Sequence, residues 1–272
     1  YRYDKMIAKK NKILILLDGS EDSEKSLDFI INSKILKFDQ IVLFFILNPF
    51  NPVTKGQDKE VLYNDFVHDH GKRLATLYIE KIENFINSKD LGIEISHNIV
   101  NSKDNLQRRL SLGDIDLTTC SINVSNILDF IFNKSKTINY LMGTSTDILI
   151  FPSDCNFSSE RKNNLILNFS ESIKPKYFVD THNILDIDKF SILYSKNDKN
   201  NIEKLLEDID KNFQIEIFQN NKSNLKNIYN MNKDFNILRQ DIRKKNSIFT
   251  SVIKSSKYNS LSNNTPLYFN TN

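Results

Sequence analysis

Asp18-Gly19-Ser20 is where this chain carries groups that could do chemistry. A carboxylate, a glycine and a hydroxyl follow an unbroken apolar run, Ile13 to Leu17. They precede a helix-period pattern at Leu27, Ile30, Ile31 and Ile35. That is a buried strand feeding a tight turn into a helix. In an α/β sheet, ligands sit where the carboxyl ends of strands meet such turns. Asp18 therefore either touches a ligand or stiffens the turn, with Ser20 and Asp22 supplying the helix cap.

Other reactive side chains make no constellation. His68 and His70 stand two apart on a predicted helix, so they point to different faces and do not share an ion. His97 shares a strand face with Ile93 and Ile95 and reads as half-buried packing. His182 stands alone. Cys120 ends a predicted strand and reads as a buried, inert thiol, because no neighbour in sequence lowers its pKa. Glu80 and Glu83 form an exposed helical pair. No Ser-His-Asp order, HExxH or GxxxxGK[ST] occurs. The reading is of a non-enzyme without a metal site.

Bulk properties narrow the classes further. The 272 residues suffice for one large domain or two ordinary ones. A net charge of +3, with no basic stripe, excludes a nucleic-acid footprint. The two cysteines, Cys120 and Cys155, form no framework and point to a reducing compartment, so the expected location is the cytoplasm. No apolar run approaches the ~20 residues that cross a bilayer. The chain begins with Tyr rather than Met, which fits a domain cut from a longer protein, a tag or a trimmed start.

The elements that must hold the Asp18 turn alternate. Strands are predicted at Ile13 to Leu17, Gln40 to Leu47, Gly92 to Val100, Ile115 to Cys120 and Asp147 to Phe151. Asn51 to Lys59 reads as a loop. Val61 to Asn87 reads as one long helix with Val67, Leu74, Tyr78, Ile82, Phe85 and Ile86 on one face. Helices are also predicted at Asp104 to Leu112 and Ser125 to Met142. This order demands a parallel sheet with helices on both faces.

Ser153 to Asn163 reads as a linker, after which the pattern restarts. Leu165 to Phe169 followed by Ser170-Glu171-Ser172 echoes the opening unit, an internal repeat. Further strands are predicted at Phe190 to Tyr194, Gln214 to Phe218, Ser247 to Ile253 and Leu267 to Phe269. Ile202, Leu205, Leu206, Ile209 and Phe213 mark one helix. Leu225, Ile228, Tyr229, Phe235, Leu238 and Ile242 mark another helix or broken pair. Lys254 to Thr265 is barely long enough for a crossover, so the second repeat reads as having lost most of its last helix.

This layout, with ILLDGSEDSEKSLDFI at its head, resembles the universal stress protein family, most clearly over Lys12 to Asp154. The resemblance implies two universal-stress-protein-like (adenine nucleotide α-hydrolase-like) domains, residues 1–155 and a reduced 156–272. Each is a parallel five-stranded sheet with helices on both faces. Family members that bind ATP carry an Asp at the end of strand one and Gly-x2-Gly-x9-Gly-Ser/Thr after strand four. Glycines there let backbone amides approach phosphate without a Cβ in the way.

Carried onto this chain, the Asp is Asp18 and the final Ser is Ser135. The glycine positions hold Ser121, Val124 and Lys134. A branched Val suits neither a positive φ nor a close approach. All six glycines lie at or before Gly143, so the second repeat has none for a phosphate loop, and its Asp position is Asn168.

Two functions follow. One is a non-enzymatic regulatory or sensor module with a degraded nucleotide site and no cofactor. It would be the cytoplasmic domain of a cation/proton antiporter or other transporter, on the cytoplasmic face of a membrane. The other is a stand-alone stress protein holding ATP or AMP through Leu17, Asp18, backbone near Leu47, Ser121, Val124 and Ser135. The expected partners are the second repeat in a pseudo-twofold pair, a second copy, or a membrane transporter.

Overall fold

The computed structural model describes residues 10–17, 19–33, 35–47, 57–100, 103–122, 146–152, 162–169, 173–220, 234–241 and 267–270. The first half runs β1 (Lys12–Leu17), α1 (Glu21–Ser33), β2 (Gln40–Ile46), α2 (Gln57–Asn87), β3 (Glu94–Val100), α3 (Lys103–Ser111), β4 (Leu117–Ile122) and β5 (Asp147–Pro152). The second runs β6 (Lys162–Asn168), α4 (Pro175–Ile184), β7 (Lys189–Tyr194), α5 (Lys199–Asp208), β8 (Gln214–Gln219), β9 (Asp234–Asp241) and β10 (Leu267–Asn270). A single 3-10 turn, Lys196–Asp198, leads into α5. The predicted helix Ser125 to Met142 lies outside the described residues.

Both halves share one strand order. β1 pairs in parallel with β2 and β4, β2 with β3, and β4 with β5. In the second half β6 pairs in parallel with β7 and β9, β7 with β8, and β9 with β10. β10 then pairs antiparallel with β5, giving one ten-stranded sheet, β3-β2-β1-β4-β5-β10-β9-β6-β7-β8. Both sets are α/β, as the apolar strand runs require of a sheet covered on both faces.

The two faces differ. One carries a continuous core from both halves, including Ile13, Ile15 and Leu17 of β1, Leu165 and Leu167 of β6, and Tyr268 of β10. α1 contributes Leu27, Ile30 and Ile31, and α4 contributes Phe178. The opposite face of the first half packs Leu14, Val42, Phe44, Ile148 and Ile150 against Leu106 and Leu110 of α3. Where the first half places the 31-residue α2, the second has the 10-residue α5. That is where the second half is reduced.

Several expectations need correction. Phe235 and Leu238 lie in strand β9, not in a helix. β9 takes the fourth-strand place assigned to Ser247 to Ile253, a segment outside the described residues. The interval before β10 is therefore 242–266, longer than the Lys254 to Thr265 on which the reading of a lost last helix rests, and it lies outside the described residues. Lys162 and Asn163 belong to β6, not to a linker. α2 begins at Gln57, inside the expected loop. Its core face is Ala75, Ile79, Ile82 and Ile86, while Leu74 points outward at 54% exposure.

Candidate functional site

The site begins with the turn that ends β1. β1 lies between β2 and β4, and the chain winds outward in opposite directions from it, so the switch point of the strand order, the place where such sheets hold ligands, is at the carboxyl ends of β1 and β4. Gly19 holds φ +78, the left-handed region that a Cβ disfavours. Ser20 then caps α1. The Ser23 amide donates to Ser20 Oγ at 3.2 Å, and Ser23 Oγ donates to the Ser20 carbonyl at 2.8 Å. The expected cap at Ser20 is thus present, and Asp22 lies within the helix.

An aromatic pair floors this turn. A Cβ at Gly19 would lie 3.5 Å from the Phe45 ring. Phe45, near the end of β2, stacks at a tilt on Tyr78 of α2, with centroids 5.6 Å apart. The sequence showed Tyr78 as a helix-face residue but gave no sign of this contact, because Phe45 and Tyr78 lie far apart in the chain and meet only on folding.

The expected site residues divide into three groups. Leu17 and Ser121 sit on adjacent strands. The β1–β4 register ends with Ile15 paired to Thr119, and Leu17 and Ser121 each lie two residues beyond that pair along their strands. Leu17 is fully buried and Ser121 half-buried. Leu47 lies at the far side of β1, and its amide is committed to the Val100 carbonyl at 2.8 Å. Asp18, Val124, Lys134 and Ser135 lie outside the described residues.

The second half builds its corresponding turn differently. Phe169 stands where the repeat has Gly19, packs against the shared core, and donates its amide to the Leu193 carbonyl at 2.7 Å. It does not adopt a positive φ. The Asn168-Phe169 turn has therefore lost the left-handed kink of its counterpart.

Charge concentrates at the opposite end of the sheet. Asp114 accepts from the Arg109 guanidinium, one bond measuring 3.0 Å, and pairs with Lys12 Nζ at 2.9 Å. The Arg109 bond holds its carboxyl well below the ordinary range, with Lys12 assisting against partial burial. Lys10 and Glu94 pair at 2.7 Å on the surface, raising the ammonium and lowering the carboxyl. These contacts tie the end of α3 to β1, and β3 to Lys10, two residues before β1.

Isolated groups behave less simply than their spacing suggests. His97 is exposed rather than packed, and its Nδ1 lies 2.7 Å from Glu83 Oε1. Glu83 is thereby engaged with β3. His182 is not alone either, since Lys37 Nζ lies 3.2 Å from its Nε2. Cys120 is buried at 6% exposure. Among the described residues no cluster of three or more His, Cys, Asp or Glu could hold a metal ion. No helix among them is long and apolar enough to cross a membrane.

No protein-family model matches the chain, and no curated protein matches it in sequence. Its structure is similar to that of a universal stress protein from Archaeoglobus fulgidus DSM 4304, with a TM-score of 0.62, 15% identity, and 96% of each chain covered. It is also similar to the cytoplasmic domain of a prokaryotic cation chloride cotransporter, with a TM-score of 0.52 and 11% identity. That likeness covers 96% of this chain and 95% of the other. At such identities the likeness is one of architecture: this chain has the universal stress protein fold, built twice.

Proposed function

We propose that this chain is a non-enzymatic regulatory module of universal stress protein type, with a degraded nucleotide site, carried as the cytoplasmic domain of a membrane transporter. The observation that carries the reading is the replacement of all three phosphate-loop glycines by Ser121, Val124 and Lys134. Side chains at those places keep an anion from the backbone amides that would hold it. The second half supports the same reading, because Phe169 fills the place of Gly19 and packs into the core.

The transporter setting is supported by likeness in fold to the cotransporter domain, which extends over nearly the whole of both chains. The ten-stranded sheet favours a pseudo-twofold pair of halves acting as one body. We place the domain division between residues 155 and 156, in the stretch that separates β5 from β6.

Isothermal calorimetry with ATP and AMP tests the silent site. The expected result is no saturable heat at millimolar nucleotide. Saturable binding that disappears in Asp18→Ala would overturn it. It would establish the second reading, a nucleotide-binding stress protein using Leu17, Asp18, Leu47, Ser121, Val124 and Ser135. That reading is favoured by one observation, the retained left-handed Gly19 turn at the switch point. Fractionation of the native gene product tests the setting: recovery in membranes supports a transporter tail, and wholly soluble recovery overturns it.

A further inference from the structure

Away from the switch point, the two halves meet a second time. The connection after α1 and the connection after α4 run antiparallel, with Leu36 bridging Leu185. The Lys37 amide donates to the Ile184 carbonyl at 2.8 Å, and the Asp186 amide donates to the Ile35 carbonyl at 2.7 Å. Asn11, just before β1, donates through Nδ2 to the Asn183 carbonyl at 2.6 Å and to the Lys37 carbonyl at 3.1 Å. These are corresponding segments of the two repeats, so the junction joins like to like.

One ammonium holds the side-chain part of this junction. Lys37 Nζ lies 3.2 Å from His182 Nε2, donates to the His182 carbonyl at 3.1 Å, and pairs with Asp186 Oδ1 at 3.0 Å. An ammonium has no lone pair, so Nε2 must be the acceptor and the ring proton sits on Nδ1. Nδ1 is buried without a hydrogen-bond partner. The Phe213 ring meets the imidazole edge to face at 5.5 Å, limiting where it can turn.

We infer that this junction is a proton-sensitive latch and that His182 is its sensor. A second proton can enter the ring only at Nε2, where it replaces an accepted hydrogen bond with two cations face to face. Asp186 offsets one positive charge, not two. The carboxylates closest in sequence to Lys37, Phe213 and His182 have partners of their own. Asp39 Oδ2 accepts the Asn11 amide at 2.9 Å, and Asp210 Oδ1 accepts the Asn212 amide at 3.0 Å. On α4 itself, Asp180 pairs with Lys176 at 3.9 Å. Imidazole is the side chain whose charge ordinarily changes between pH 5 and 8, so mild acidification is the signal that such a contact reads. The inference goes beyond the regulatory reading above and stands on the junction alone.

Amide hydrogen exchange at Lys37 and Asp186 tests it, compared at pH 7.5 and 5.5 after correction for intrinsic rates. Protection at both amides should fall about fivefold on acidification, the effect of a partly exposed like-charge contact. The Phe169 amide, bonded within the second half, should not follow. In His182→Gln, whose side-chain oxygen still accepts from Lys37, the fall should vanish. In Lys37→Met it should vanish as well, which serves if the first variant does not fold. Unchanged protection in the parent chain, or an equal fall in either variant, would overturn the latch.

Discussion

Tyr268 of β10 donates its hydroxyl to the Asp147 carboxylate of β5, inside the seam where the two halves become one sheet. Both side chains are buried, at 1% and 7% exposure. A hydrogen bond to a buried carboxylate is among the stronger single contacts a core can hold. Tyr268→Phe should therefore cost about 2 kcal/mol in urea unfolding. A double-mutant cycle with Asp147→Asn should assign most of that loss to the pair; additive single losses would show that the two groups act separately.

Two glycines should respond with opposite signs. Gly19 has φ +78 and the Phe45 ring beneath it, so Gly19→Ala should destabilise by about 1–2 kcal/mol. Gly71 lies inside α2, and a Cβ there would meet only Leu47 Cδ2, at 3.9 Å. Gly71→Ala should stabilise by about 1 kcal/mol. Thermal melts of both variants beside the parent chain would check the pair of signs.

Asp114 should make stability depend on acid. Its carboxyl is held below its ordinary value by the Arg109 bond, so it binds fewer protons folded than unfolded near pH 4. Its contribution is present above about pH 4 and is lost as pH falls below that, toward the lower value of the folded state. The stability gap between the parent chain and Arg109→Met should thus shrink between pH 5 and pH 2. A gap that stays constant over this range would mean that the guanidinium acts by packing alone.

Restoring the loop should restore binding if shielding of the backbone is what silences the site. Ser121→Gly, Val124→Gly and Lys134→Gly together should produce saturable ATP binding, against the silence expected of the parent chain. Removing Asp18 in that background should weaken it at least tenfold. Calorimetry on the triple and quadruple variants measures both effects, and a triple variant as silent as the parent chain would place the defect elsewhere.

The sequence by itself determined much of this protein. Ile13 to Leu17 followed by Asp18-Gly19-Ser20 specifies strand, turn and helix, because an apolar run, a left-handed residue and a cap are local requirements that neighbours in sequence satisfy. The same signals in Leu165 to Ser172 made the repeat legible. Periodicity failed where the deciding partner was distant. Phe235, Leu238 and Ile242 have helical spacing, yet β9 is a strand because β6 and β10 supply its hydrogen bonds. Only the tertiary structure decided that β5 and β10 would pair antiparallel, or that His97 would reach Glu83. The same holds for Lys37 and His182, which are 145 residues apart in the chain. Backbone conformation is chosen residue by residue, but a hydrogen bond across two repeats exists only after both have folded and met.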